Sequence, residues 1–245
     1  MEILKLYNVS KSYGNNQVLK NISFNVNHKE LLGIMGASSS GKTTLLNCIS
    51  TIDLPTCGEI VFENSNLVEL SGKEMAMFRR KNLGFIFQDY NLLDILTIKE
   101  NIALALTINR TPINIIDTKV QEVASNFRIE DILNKYPYQV SGGQKQRCAC
   151  ARAIITNPKL IFADEPTGAL DSNSSKNLME TMEHMVNDLF ATILMVTHDI
   201  FVASYATRIL FLKDGRIHYE LIRGNKSHKE FYNEISEVIS SIGGA

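Results

Sequence analysis

At 245 residues and 27.5 kDa, the chain is long enough for one large or two small domains with a sizeable core. Its 44% hydrophobic and 21% charged residues are those of a globular protein, and a net charge of -1 gives no general attraction to nucleic acid, so no nucleic-acid partner is expected. No run approaches the roughly 20 apolar residues that cross a bilayer and the N-terminus has no signal-peptide core, so a cytoplasmic chain is expected.

The opening section alternates apolar and polar residues through Leu4, Leu6 and Tyr7, then Val18, Leu19, Ile22, Phe24 and Val26, around the turn Gly14-Asn15-Asn16, which predicts short antiparallel strands. Residues 31 to 35, LLGIM, show no alternation, as expected of a strand covered on both faces. The following KTTLLNCIS carries helical spacing in Leu45, Leu46 and Ile49. Strands are expected at Gly58 to Phe62 and Leu83 to Phe87. The stretch from Leu96 to about Lys135 reads as mainly helical with a break at Thr111-Pro112, and Ser141-Gly142-Gly143 opens another helix. A helical insertion over about 89–157 follows from this reading. Strand character returns in Leu160 to Ala163, Ala191 to Val196 and Arg208 to Leu212. Phe231, Ile235, Val238, Ile239 and Ile242 predict an amphipathic C-terminal helix. The four cysteines, Cys48, Cys57, Cys148 and Cys150, lack C-x-x-C spacing and paired histidines, and are read as reduced packing residues.

Between the buried strand and its helix lies GASSSGKTT, residues 36 to 44, with the spacing G-x-x-x-x-G-K-[ST]. Backbone N–H groups of Gly36, Ala37, Ser38, Ser39, Ser40, Gly41 and Thr44 and the helix N-terminus would converge on phosphates. Lys42 would reach the outer phosphates and the Thr43 hydroxyl would ligate Mg²⁺. The strand LIFA ends in Asp164 and Glu165; ligands bind at the carboxyl ends of parallel strands, so Asp164 is a candidate for the Mg²⁺ shell and Glu165 for orienting or deprotonating a water. A solvated turn at a strand end would have the same composition.

In VSGGQKQR, Ser141 and Gln144 form a Ser-x-x-Gln capping box, a common way to start any helix. Gly142 and Gly143 argue for more, since glycine is costly in a first helical turn and useful where a backbone must approach a ligand. Gln88 is a candidate Mg²⁺ or water ligand after a strand, His198 sits at a strand end, and Tyr13 can stack on an adenine ring.

Taken in order, Tyr13, GASSSGKTT, Gln88, VSGGQKQR, LIFADEP, Gly168-Ala169-Leu170-Asp171 and His198 resemble the complete motif set of an ABC-type ATPase over residues 2–222, followed by the C-terminal helix over 227–245. The resemblance implies an α/β P-loop NTPase fold with a RecA-like core, an antiparallel β-subdomain and an α-helical subdomain. It implies ATP as ligand with Mg²⁺ as cofactor, Glu165 as catalytic base, His198 on the γ-phosphate, and Gln88 linking the metal to the helical subdomain. It also implies a head-to-tail pair in which Ser141, Gly142, Gly143 and Gln144 of one copy close over the nucleotide of the other, with Asp171 at the dimer interface.

A finer similarity is to the nucleotide-binding subunits of the macrolide and lipoprotein exporter group, and within it to the bacitracin-export, antimicrobial-peptide-resistance type. It is carried by LPTCGE, GFIFQDYNLLDILTIKENI, QRCACARAI, THDIFVASYATRI and KEFYNEISEVISSIGG. This implies a separate polytopic permease, a peripheral position at the inner face of the membrane, and coupling to a sensor histidine kinase through the permease. The apolar stretch Tyr90 to Ile98 is the candidate permease contact, burial being its alternative. An ABC ATPase acting on ribosomes or chromosomes fits neither the length nor the single phosphate loop, and a P-loop kinase has no use for VSGGQKQR. The family pattern carries glycine where this chain has Ser39. A positive φ at that position would make serine cost about 1 kcal/mol, and a negative φ would make the change nearly free.

Overall fold

The computed structural model describes residues 1–168 and 170–243, so the expectation for Ala169 lies outside the described residues, as do those for 244–245 and for the side chain of Ile242. The strands are β1 Glu2–Tyr13, β2 Asn16–Asn27, β3 Leu31–Met35, β4 Cys57–Phe62, β5 Ser65–Asn66, β6 Leu83–Phe87, β7 Leu160–Asp164, β8 Ile193–Thr197, β9 Arg208–Lys213 and β10 Arg216–Ile222. The α-helices are α1 Lys42–Ile49, α2 Gly72–Asn82, α3 Ile98–Ile108, α4 Ile113–Phe127, α5 Gly142–Ile154, α6 Ser172–Asn187, α7 Ile200–Ala203 and α8 His228–Gly243. The chain divides into one compact unit of residues 1–76 and 192–245 and a second of residues 77–191.

In the first unit, β1 is antiparallel to both β2 and β4. These opening strands are 12 residues each, longer than the short strands expected, and register shifts between Leu6 and Val9 and between Val9 and Lys11 explain the difference. A bulge breaks the two-residue alternation, so one bent strand reads in sequence as two short ones. Beside this hairpin sheet, β3 runs parallel to both β8 and β9, with Gly33 opposite Met195 on one side and Ile209 on the other. All five residues of β3 are buried, which is why LLGIM has no polar position. At its start Arg208 donates to Glu30 Oε1 at 2.6 Å, to Glu220 Oε1 at 2.8 Å and to the Asn25 carbonyl at 2.6 Å. At the C-terminus, α8 buries Phe231 and Ile235, and His228 lies against Tyr205 with ring centres 4.2 Å apart.

In the second unit, β6 is parallel to β7, and Phe87 lies opposite Asp164. Thr97 and Glu100 form a capping box at the start of α3. Asn101, fully buried, donates to the carbonyls of Leu93, Leu96 and Thr97 and accepts from Leu93 N, so it clamps the loop that precedes the helix. Proline at 112 starts α4, where its missing N–H costs nothing. Of the four cysteines, Cys48, Cys148 and Cys150 are buried packing residues as expected, with their thiols pushed up by burial, but Cys57 is exposed. It begins β4, where the strand has not yet entered the core.

Candidate nucleotide site

The loop 36–44 joins the fully buried β3 to α1. Gly36 is fixed by proximity: a Cβ there would sit 2.2 Å from the Leu212 carbonyl of β9. Gly41 caps α1 in the left-handed region at φ 105° and, having no side chain, supplies no capping acceptor to the first turn. A bare helix N-terminus without an acidic residue in its first turn is an anion site. Lys42 folds over the loop and donates to the Gly36 carbonyl at 2.9 Å and the Ala37 carbonyl at 3.1 Å. An ammonium held on loop carbonyls stays within reach of phosphates bound to the same loop. The Ser40 hydroxyl is buried and has no hydrogen-bond partner among the described residues. Ser39 has φ 69°, so its serine does stand in the left-handed region, and its hydroxyl donates to the Ser38 carbonyl. A cavity of about 420 Å³ opens beside the loop, walled by Gly36 to Ser40, by His198 at the end of β8, by Phe211 to Asp214, and by Ile239 of α8.

Tyr13, at the end of β1, is half exposed, and its hydroxyl meets the side chain of Thr44 in the first turn of α1. Tertiary structure therefore brings an aromatic ring from residue 13 to the helix that begins at the phosphate loop.

The second unit assembles its own group. β7 delivers Asp164, and the chain then turns sharply, with Glu165 at φ 44° and Gly168 N donating to the Glu165 carbonyl at 3.0 Å. A non-glycine residue held in the left-handed region at a carboxylate is stored strain of the kind that clusters at functional sites. Because β6 pairs with β7 in register, Gln88 emerges beside this turn. Its amide packs so closely on Gly168 that a Cβ there would meet Gln88 Cδ and Nε2 at 2.8 Å. Buried Gln146 of α5 donates to the Pro166 carbonyl at 3.2 Å, tying α5 to the same turn.

The start of α5 is the capping box expected: Ser141 Oγ accepts from Gln144 N at 3.3 Å, and Gln144 Oε1 accepts from Ser141 N at 3.0 Å. The two glycines are a different matter. A methyl group on Gly142 would meet only the Tyr90 hydroxyl, at 3.5 Å, and one on Gly143 nothing nearer than Arg147 Nη1 at 4.0 Å. Neither glycine is required by internal packing, so their bareness fits an external ligand. Asp171 caps α6, accepting from Asn173 N and Ser174 N at 2.9 Å and from Ser174 Oγ at 2.8 Å. Those donors, the Ser174 backbone first, hold its carboxyl below the usual carboxylate range.

Three residues of this unit were not legible as site residues. Arg152 of α5 donates to the carbonyls of Tyr90, at 2.6 Å, and Asn91, both at positive φ, which fixes the loop following Gln88. Tyr90 then lies against Gly142, and burial, then Asp171 and Asp89, raises its phenol above the usual value. Gln146 was hidden within a helix pattern. No local signal marks such partners, because each acts across more than 19 residues of sequence, as the separations of 20 for Gln146 and 62 for Arg152 show.

A parallel-stranded α/β unit with a glycine-bounded phosphate loop on a bare helix end, together with a capped helix opening on two unconstrained glycines, defines the ATP-binding cassette type of nucleoside triphosphatase. The ABC transporter family matches residues 19–168, and the chain belongs to that family. Over 248 residues it is 49% identical to the bacitracin export ATP-binding protein BceA of Halalkalibacterium halodurans, covering 100% of this chain and 98% of that one. It is 41% identical over 212 residues to the macrolide export ATP-binding/permease protein MacB of Campylobacter jejuni, covering 86% of this chain and 33% of that protein. Among solved structures, the dimeric post-hydrolysis state of the ATP-binding cassette MJ0796 bound to ADP and phosphate aligns with a TM-score of 0.79 at 38% identity, covering 90% of this chain and 98% of that one. The protein is an ATP-binding, ATP-hydrolysing subunit of an ABC transporter. No described helix is long and apolar enough to cross a membrane.

Proposed function

We propose that this subunit powers a separate permease in resistance to antimicrobial peptides of the bacitracin or lantibiotic kind. The observation that carries this reading is the near-complete, 49% identical match to a bacitracin export subunit, which extends through the C-terminal helix rather than stopping at the catalytic motifs. A macrolide- or lipoprotein-exporter role is the second reading, favoured by the match to MacB, where the ATP-binding part is joined to a permease.

In this proposal the backbone N–H groups of residues 36–44 and Lys42 hold the ATP phosphates, with the orphaned Ser40 hydroxyl available to them. Thr43, exposed in the first turn of α1, and Asp164 at the end of β7 offer hard oxygen donors that suit Mg²⁺, an ion that keeps several waters and takes phosphate oxygens. Bound there, Mg²⁺ would neutralise phosphate charge. Gln88 supplies a further amide oxygen. Glu165 takes a proton from the attacking water as its oxygen bonds to the γ-phosphorus and ADP leaves, while His198 donates to the γ-phosphate. Ser141, Gly142, Gly143 and Gln144 of a second copy close over the nucleotide through the glycine-bearing first turn of α5, and Asp171 lies at the interface of that head-to-tail dimer.

For the permease contact, Leu93 is 44% and Ile95 85% exposed, so the burial alternative does not hold for these two side chains. The Asn101 clamp holds their loop in place, which reduces the ordering cost of docking. The permease places the subunit at the inner face of the membrane, and a sensor histidine kinase couples through the permease. Co-purification from native membranes tests the assembly: recovery with a polytopic membrane protein is expected, and recovery with ribosomes or DNA would sink it. Deleting the gene should raise sensitivity to bacitracin-like peptides; unchanged peptide sensitivity with raised macrolide sensitivity would favour the second reading.

A further inference from the structure

Tyr13 is held by more than its backbone. Its hydroxyl donates to Asp53 Oδ2 at 2.6 Å. The other oxygen of that carboxylate accepts from Lys11 Nζ at 2.6 Å and from Leu54 N at 2.8 Å. Lys11 is buried, also donates to the Leu54 carbonyl at 2.6 Å, and holds its ammonium 4.8 Å from the centre of the Tyr13 ring. The hydrogen bond to Asp53 is the first cause that pushes the Tyr13 phenol up to about 12, so it remains a proton donor. Lys11, then Tyr13, lowers the Asp53 carboxyl, so it remains an acceptor.

The consequence is preorganisation. An exposed tyrosine ordinarily rotates about two side-chain bonds, and fixing it at the moment of binding costs entropy. Here one carboxylate holds the phenol and a cation covers part of the ring. Tyr13 stays 50% exposed, which leaves surface for a planar group.

We propose that Asp53 is a positioning residue for the nucleotide base: with Lys11 it fixes Tyr13 through the phenol, so that the ring is set to stack on the base of an ATP whose phosphates lie on residues 36–44. The inference rests on the nucleotide-site reading above. It requires that loss of Asp53 weaken recognition of the base and leave recognition of the phosphates intact, which a general packing role would not do.

The test uses the full chain and titrates Mg²⁺ with ATP or with inorganic tripolyphosphate, which has no base, against the parental protein, Asp53→Ala, Tyr13→Phe and the double variant. Loss of one hydrogen bond corresponds to a Kd for ATP raised about threefold to tenfold in each single variant. Because both substitutions remove the same contact, the double variant should lie within about twofold of the weaker single one. Tripolyphosphate affinity should stay within about twofold throughout. Unchanged ATP affinity, an equal loss for both ligands, or fully additive losses would each overturn the proposal. Tyr13→Phe leaves the Asp53–Lys11 pair in place and carries the same comparison if Asp53→Ala does not fold. Tyr13→Ala and Lys42→Ala separate the two levels of failure. If Tyr13→Ala binds ATP like the parent, base stacking and with it this role are wrong, while the phosphate site stands. If Lys42→Ala retains parental affinity for both ligands, the phosphate site itself is wrong.

Discussion

Replacing Ser39 by glycine isolates backbone strain from phosphate chemistry. At φ 69° an L-residue carries a penalty of about 1 kcal/mol that glycine does not. Against this, glycine loses about 0.5–1 kcal/mol more conformational entropy on folding. It also gives up the hydrogen bond from the Ser39 hydroxyl to the Ser38 carbonyl, worth roughly 0.5 kcal/mol at an exposed site. Folding stability should therefore change by less than about 1 kcal/mol in either direction, a shift in Tm of at most about 4 °C for a chain this size. Affinity should change still less, since strain present in both the free and the bound loop cancels, and a residual of under about 1 kcal/mol is roughly fivefold. ATP titration by calorimetry and thermal unfolding, with Ser39→Ala as the control that keeps the strain and removes the hydroxyl, measure both terms. A gain of several hundredfold in affinity for Ser39→Gly would contradict this, because it would mean that the loop adopts its binding conformation only with glycine.

Gly142→Ala should fold as well as the parent, and more stably by up to about 1 kcal/mol, because a methyl there meets only the Tyr90 hydroxyl at 3.5 Å. Its ATP turnover should nevertheless fall at least about tenfold if the glycine faces the nucleotide of a second copy; parental turnover would contradict that role. Glu165→Gln should form a stable ATP-bound dimer by size-exclusion chromatography with almost no phosphate release, and hydrolysis at the parental rate would reassign the base. Arg208→Met leaves the buried Glu30 carboxylate without its cation and should cost about 3–5 kcal/mol in denaturant unfolding. For Asp171, whose carboxyl is lowered by the α6 donors, the stabilisation is full above the usual carboxylate range and is lost as pH falls through the lowered value. Asp171→Asn should remove that part of the acid sensitivity in unfolding curves, and identical curves for parent and variant would count against it.

The local chemistry was readable from the order of residues alone. The all-apolar LLGIM, the fixed spacing of Gly36, Gly41, Lys42 and Thr43, the strand ending in Asp164-Glu165 and the Ser141-Gln144 box were legible because each signal spans fewer than about ten residues, within one element and its ends. The bulges in β1 blurred the pattern for the same reason, since they act on pairing rather than on composition. The contacts between distant segments came from folding. It placed Tyr13 on Asp53 and Thr44, Gln88 on Gly168, Arg152 under Tyr90, and Gly36 against the Leu212 carbonyl. It also set the sign of φ at Ser39 and Glu165, for which no residue type is diagnostic. Side-chain hydrogen bonds and close approach depend on distance in space, whereas propensity and periodicity depend on distance along the chain.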